Sequence, residues 1–191
     1  FVLDSNIEIA GSKDIVMIGR VGGSGGESRA ETFSIIEDLL EFASSLVSRD
    51  METYKEIAEL IDNSPIAETM ELHPRDLQAL YKLVNDDLPI IIDANRASDL
   101  LKLIEIKRKY DLNLIIMGAQ EAGLVANQIA ENDIPLIINP INNIPESFDE
   151  LAANIELAAK LEKLGITIMF NAPRSHNFHL VRQGAGVAVA N

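Results

Sequence analysis

The chain has 191 residues, 47% of them hydrophobic, which is enough for one domain with a real core and too apolar for a disordered segment. Thirty acidic residues against sixteen basic ones give a net charge of −14, which repels phosphate backbones and anionic lipid surfaces and so argues against nucleic acid or a membrane as partner. There is no cysteine for a disulfide or a thiolate zinc site, and apolar runs such as "PIII" and "PLII" fall far short of the roughly 20 residues that span a bilayer, so a soluble protein of the cytoplasm or periplasm is expected.

In chain order, "DIVMIG" (Asp14 to Gly19) reads as a first strand, followed by the glycine-rich "GRVGGSGGES". A strand, a glycine loop and a helix are the context of a phosphate cradle, but the spacing is wrong. No Gly-Lys-Ser/Thr follows Gly22, the third glycine of a dinucleotide fingerprint falls at Ser28, and Glu27 would set a carboxylate against a bound phosphate. A connector leading into a helix is the plainer reading, with Ser28 and Glu31 as a capping box. Helical patterns follow over Arg29 to about Ser48, Met51 to about Ile61, and Pro74 to about Val84, with Pro74 suited to a first helical position.

The second half repeats one pattern in "DLPIIIDAN", "DLNLIIMGA", "DIPLIINPI" and "GITIMFNAP": a turn residue, a short Ile-rich run, then small or polar residues. Continuous apolar runs of that length fit strands buried on both faces, the mark of a parallel sheet. The helices between them are "ASDLLKLIEIKRKY", "EAGLVANQIAEN" and the long "SFDELAANIELAAKLEKLG", with Ser147 as N-cap, Glu150 as its capping partner and Gly165 at the stop. The repeats start roughly 22 to 33 residues apart, the size of a strand–helix unit. Five strands are expected, α/β in class. By count alone they suit an open doubly wound sheet, because a (β/α)₈ barrel needs eight strands and about 250 residues.

Ligands of parallel α/β proteins bind at the carboxyl ends of the strands. Those ends carry Asp93, Asn95 and Arg96; Gln120 and Glu121; Asn139, Asn142 and Asn143; and Asn171, Arg174, Ser175 and His176. They form a candidate ligand-binding set, against the plainer reading that Asn, Asp and Ser simply cap turns and helices. A metal site needs converging His, Asp or Glu ligands, and His73, His176 and His179 do not supply one. Ser175 beside His176 is not a nucleophile with its base, since adjacent side chains do not face each other. No catalytic residue is assigned.

The segments "DANRASDLLKLIEIKRKYDLNLIIMGAQEA", "IPLIINPINNIPESFDEL" and "FNAPRSHNFHLVRQGAGVAVAN", with "SRAETFSIIEDLLEFA" upstream, resemble the C-terminal part of imidazolonepropionase-related proteins of the amidohydrolase superfamily. The resemblance implies metal-dependent hydrolases of non-peptide C–N bonds built on a (β/α)₈ TIM-type barrel, of which these five strands would be a part. With Phe1 at the start and "GAGVAVAN" at the finish, residues 1–191 are expected to be one α/β domain, a fragment of a larger amidohydrolase-like chain.

The superfamily pattern implies an early His-x-His pair, a His after each of strands five and six, and an Asp after strand eight. Here Asn95 (or Asp93, in a slipped register), Gly118 with Ala119, and Asn171 stand at the three positions that fall inside the chain. The expectation is a fragment with degenerate ligands, inactive as isolated and holding no metal or other cofactor, whereas zinc or another divalent ion would serve the intact parent on its small-molecule substrate. The alternatives are a non-catalytic ligand-binding or assembly partner of an active homologue, and a nucleotide-binding open sheet. Uncovered strand edges in a partial barrel lead to the further expectation of self-association, or of pairing with the missing part of the barrel.

Overall fold

The computed structural model describes residues 16–22, 28–47, 55–56, 59, 74–172 and 179–191. Its elements are β1 (Met17–Arg20), α1 (Arg29–Val47), α2 (Pro74–Asn85), β2 (Ile90–Ala94), α3 (Ala97–Tyr110), β3 (Leu114–Gly118), α4 (Ala126–Glu131), β4 (Leu136–Ile138), α5 (Leu157–Lys163), β5 (Ile168–Phe170) and α6 (Val181–Ala190). Single 3₁₀ turns at Ala122–Leu124 and Pro140–Asn142 follow β3 and β4. Of the segment expected to be helical over Met51 to Ile61, positions 55, 56 and 59 are described, and all three are helical. Among the described residues no helix is long and apolar enough to cross a membrane.

All five strands pair in parallel, in the order β1-β2-β3-β4-β5. A doubly wound sheet reverses its strand order at a switch point; this one never does. Right-handed crossovers between strands in unbroken order put the connecting helices on one face, so the sheet is an arc of a (β/α)₈-type barrel. The open-sheet alternative suggested by strand count therefore fails on topology.

Strands β2 to β5 each start from the same turn. Asp87, Asp111, Asp133 and Gly165 all have φ near +50 to +75°, and each is followed by an apolar residue, of which Leu112, Ile134 and Ile166 are buried and Leu88 is half-buried. The side chains of Asp and Asn tolerate this left-handed region better than most, which is why the repeat opens on Asp or Gly. The strands then alternate. Ile90, Ile92, Leu114, Ile116, Leu136 and Ile138 are buried against Leu100, Leu103, Ile104 and Ile106 of α3 and the other helices in one continuous core. Phe33, Leu40, Ala43 and Leu46 of α1 meet Leu77, Leu80 and Leu83 of α2 in the same core. Two polar contacts through Glu37 help tie α1 to α3: Tyr110 Oη donates to the Glu37 carbonyl at 3.2 Å, and Lys102 Nζ reaches Glu37 Oε1 at 3.3 Å.

The long helix expected from Ser147 is not formed before Leu157; residues 147–156 run as turns. A helix through this stretch would bond the Ala152 amide to the Phe148 carbonyl, four residues back. Instead the Phe148 carbonyl accepts from Arg96 Nη2 at 3.2 Å, and the Ala152 amide donates to Glu121 Oε1 at 3.1 Å. Both partners of one helical bond are captured from outside the segment. The capping box is displaced as well, since Ser147 Oγ accepts from the Asp149 amide and Glu150 Oε2 from the Glu146 amide.

Candidate functional site at the strand carboxyl ends

Along each strand, residues of one parity face the helices and those of the other face away from them. Asp93 in β2 lies on the side away from the helices, and Asn95, Asn139 and Asn171 continue that parity at the ends of β2, β4 and β5. The sheet thus brings the expected positions to one edge, but most are already engaged. Asp93 Oδ2 takes both Nε and Nη2 of Arg20, at 3.0 and 2.9 Å. Asn95 Nδ2 donates to Glu150 Oε1 at 3.4 Å. Arg96 Nη2 bonds Asp149 Oδ1 at 2.8 Å, besides the Phe148 carbonyl. Asn139 Oδ1 accepts from the Ile141 amide and caps the 3₁₀ turn. Asn143 is buried, with its Nδ2 donating to the Asn154 carbonyl. Arg174, Ser175 and His176 lie outside the described residues, as does His73.

Glu121 is 7% exposed, and both of its carboxylate oxygens are used. Oε2 accepts from the Ala97 amide at 2.9 Å and Oε1 from the Ala152 amide. Arg96 precedes α3 with no side-chain cap of its own, so the carboxylate that satisfies the open N-terminus of that helix comes from the next strand–helix turn. Glu121 is a stitch between α3 and residues 147–156.

A second knot lies beside it. Arg29, the first residue of α1, bonds Asp99 Oδ2 through Nε at 2.9 Å and Asp149 Oδ2 through Nη2, while Asp149 also holds Arg96. Asp99 is 4% exposed inside α3. The Arg29 guanidinium is held above its ordinary value first by the hydrogen bond to Asp99, with burial pulling the other way and Asp149 adding to the rise. Gly22 explains part of this placement. A Cβ there would come within 2.7 Å of Arg29 Nη2, so the glycine leaves room for the guanidinium to lie across the backbone. Residues 23–27 of the glycine stretch lie outside the described residues; Ser28 does cap α1, its Oγ accepting from the Glu31 amide at 3.1 Å. Arg29, Asp99, Asp149 and Glu150 were not singled out as site residues from the sequence, because their partners lie 53 to 120 positions away.

The end of β3 is the tightest point. Gly118 has φ +85° and Ala119 φ +50°, and a Cβ on Gly118 would fall 2.3 Å from Asn95 Oδ1 and 3.1 Å from Asp93 Oδ1. The bare Gly118 therefore lets the side chains of Asp93 and of Asn95, just past β2, lean over the neighbouring strand, and the Ala119 amide hooks back to the Ala94 carbonyl at 2.9 Å. Asn95 Oδ1, Gln120 Oε1 and Asn171 Oδ1 are buried without a hydrogen-bond donor. A divalent cation does not fit this donor set. The three strand ends offer an amide, a hydrogen and an amide, and the nearby carboxylate of Asp93 already carries a guanidinium. Among the described residues no three His, Cys, Asp or Glu side chains converge.

No family model and no curated protein matches the chain. A solved structure does: an amidohydrolase from Thermotoga maritima MSB8 is similar over 90% of this chain, with a TM-score of 0.69 and 20% identity. The likeness is one of fold. It covers 45% of the solved chain, so the present residues span less than half the length of the protein they superimpose on.

Proposed function

We propose that the chain is part of an amidohydrolase-superfamily protein related to imidazolonepropionases, whose parent reaction is hydrolysis of a non-peptide C–N bond in a small molecule. The observation that carries this reading is the unbroken parallel order β1 to β5 superimposing on an amidohydrolase, together with the sequence resemblance over the same segments. In that family a metal polarises the scissile group or activates a water. Asn95, Gly118 and Asn171 supply neither a ligand nor a base at the corresponding ends, so the 191 residues have no turnover of their own. Their work at this edge is to hold shape. Arg96, Arg29 and Asp149 fix residues 147–156 over the end of β2, and Glu121 fixes the start of α3.

The test is a zinc titration of the purified chain with a linear amide and a cyclic amide as substrates. No metal-dependent release of amine or ring-opened acid is expected; clear zinc-dependent turnover would overturn the assignment of degenerate ligands. The reading as a non-catalytic partner of an active homologue predicts instead that turnover appears only when that homologue is added.

A further inference from the structure

Residues 147–156 carry the sequence of a helix and are folded as something else. Glu150, Leu151, Ala152, Ala153 and Glu156 are strong helix formers, and no glycine or proline interrupts them. Their turns are closed by the tight bonds that also occur at helix ends: the Glu150 amide donates to the Ser147 carbonyl at 3.2 Å, the Ala153 amide to the Glu150 carbonyl at 3.0 Å, and the Leu157 amide to the Asn154 carbonyl at 3.0 Å. The capping box is present but out of step by a single residue. In a helix from Ser147, its Oγ would accept from the Glu150 amide and the Glu150 carboxylate from the Ser147 amide. The structure has the Asp149 amide on Ser147 Oγ at 3.2 Å and the Glu146 amide on Glu150 Oε2 at 3.4 Å.

Tethers from other elements hold the segment in this form. Arg96 Nη2 donates to the Phe148 carbonyl and to Asp149 Oδ1, Arg29 Nη2 to Asp149 Oδ2, and Asn95 Nδ2 to Glu150 Oε1, while Glu121 Oε1 accepts from the Ala152 amide. Core packing does not weigh against the helix. Phe148, Leu151 and Ile155 are 83%, 64% and 43% exposed as the segment stands. In a continuous helix the nine residues between them, about two and a half turns, would set Phe148 opposite the buried Leu157, so these side chains gain no burial against the face that α5 packs. Extending α5 backwards needs no new nucleus. The balance rests on a few tethers against helix propensity, and Arg29, Arg96 and Asp149 are only partly buried, within reach of salt.

We propose that residues 147–156 are a two-state strap: turns laid over the end of β2 while Arg29, Arg96 and Glu121 hold them, and a helix continuous with α5 once those tethers are released. Forming the helix withdraws Asp149 from both arginines and Glu150 from Asn95, and so uncovers the carboxyl end of β2, where parallel α/β proteins bind their ligands. The device follows from these contacts alone and does not rest on the reaction proposed above.

Cα chemical shifts and amide hydrogen exchange, both read by NMR, follow the strap residue by residue. Arg96→Met combined with Glu121→Leu removes both captors of the helical bond between the Phe148 carbonyl and the Ala152 amide. The shifts of residues 148–156 should then move to helical values. The Ala152 amide, with the Phe148 carbonyl as its new partner, should exchange about fivefold or more slowly than in Glu121→Leu alone. A segment that is merely tied down would lose structure instead, so random-coil shifts, or an Ala152 amide no slower than in the single variant, would overturn the proposal. The wild type gives a second reading that needs no substitution. Raising KCl from about 0.05 to 1 M screens the Asp149 pairs. The shifts of residues 148–152 should move toward helical values while those of α2 stay still; strap shifts unmoved across the series would equally overturn it.

Discussion

Glu121→Gln isolates the stitch between α3 and residues 147–156 while preserving shape. The carboxylate accepts two backbone hydrogen bonds, at 2.9 Å from Ala97 and 3.1 Å from Ala152, from a site only 7% exposed. A hydrogen bond to a charged group is worth about 1.5–3 kcal/mol. Glutamine keeps one acceptor and turns an NH₂ group toward the other amide, so one bond is lost and a buried backbone donor is stranded. Removing the charge also forfeits about 0.3–1 kcal/mol of interaction with the amino end of α3. Together these give about 2–3 kcal/mol, which for a domain of this size is a fall in Tm of about 5–10 °C. Urea titration followed by circular dichroism measures the loss, and hydrogen exchange should show the amides of Ala97 and Ala152 losing protection ahead of the core of α3. A loss below about 0.5 kcal/mol, the range of an ordinary surface substitution, would refute the stitch.

Arg29→Met strands the buried carboxylate of Asp99 and should cost about 2 kcal/mol, discounted because Arg29 is 30% exposed; Arg29→Met with Asp99→Leu should recover much of it in the same urea titration, since the uncompensated charge is then gone. Gly118→Ala should cost about 2–3 kcal/mol, from a left-handed φ and a Cβ set against Asn95 Oδ1. Adding Asn95→Gly should relieve the steric part alone, which a double-mutant cycle reports as coupling of at least about 0.5 kcal/mol.

The strands and α3 were legible because their signals are local. The Ile-rich runs of β2, β3 and β4, and the Leu100, Leu103, Ile104 and Ile106 stripe, declare themselves within a dozen residues. What the chain order could not give was the winding of the sheet: five strands suit two topologies, and the family resemblance, not strand count, pointed to the barrel that the β1-to-β5 order then bore out. The long helix from Ser147 was misread because its apolar spacing and cap are sound, and what dissolves it comes from Arg96 and Glu121, outside the segment. Glu121 was picked out as a ligand position for its place after β3. Its bond to the Ala97 amide follows from a missing local cap at Arg96, a gap that can be noticed in the sequence but not assigned a filler.

The unbroken strand order also sets a timetable for synthesis. Arg20 of β1 finds Asp93 of β2 73 positions later, whereas the later strands pair at roughly a third of that separation or a little more, which makes closing the first pair costlier by about 1 kcal/mol. At about 5–20 residues per second, β1 leaves the ribosome some 4–15 s before any of β2 exists to receive it. The strand with the most exposed isoleucine of the sheet is thus the one that waits longest, which makes the interval between β1 and β2 the one in which a chaperone has most of this sheet to cover.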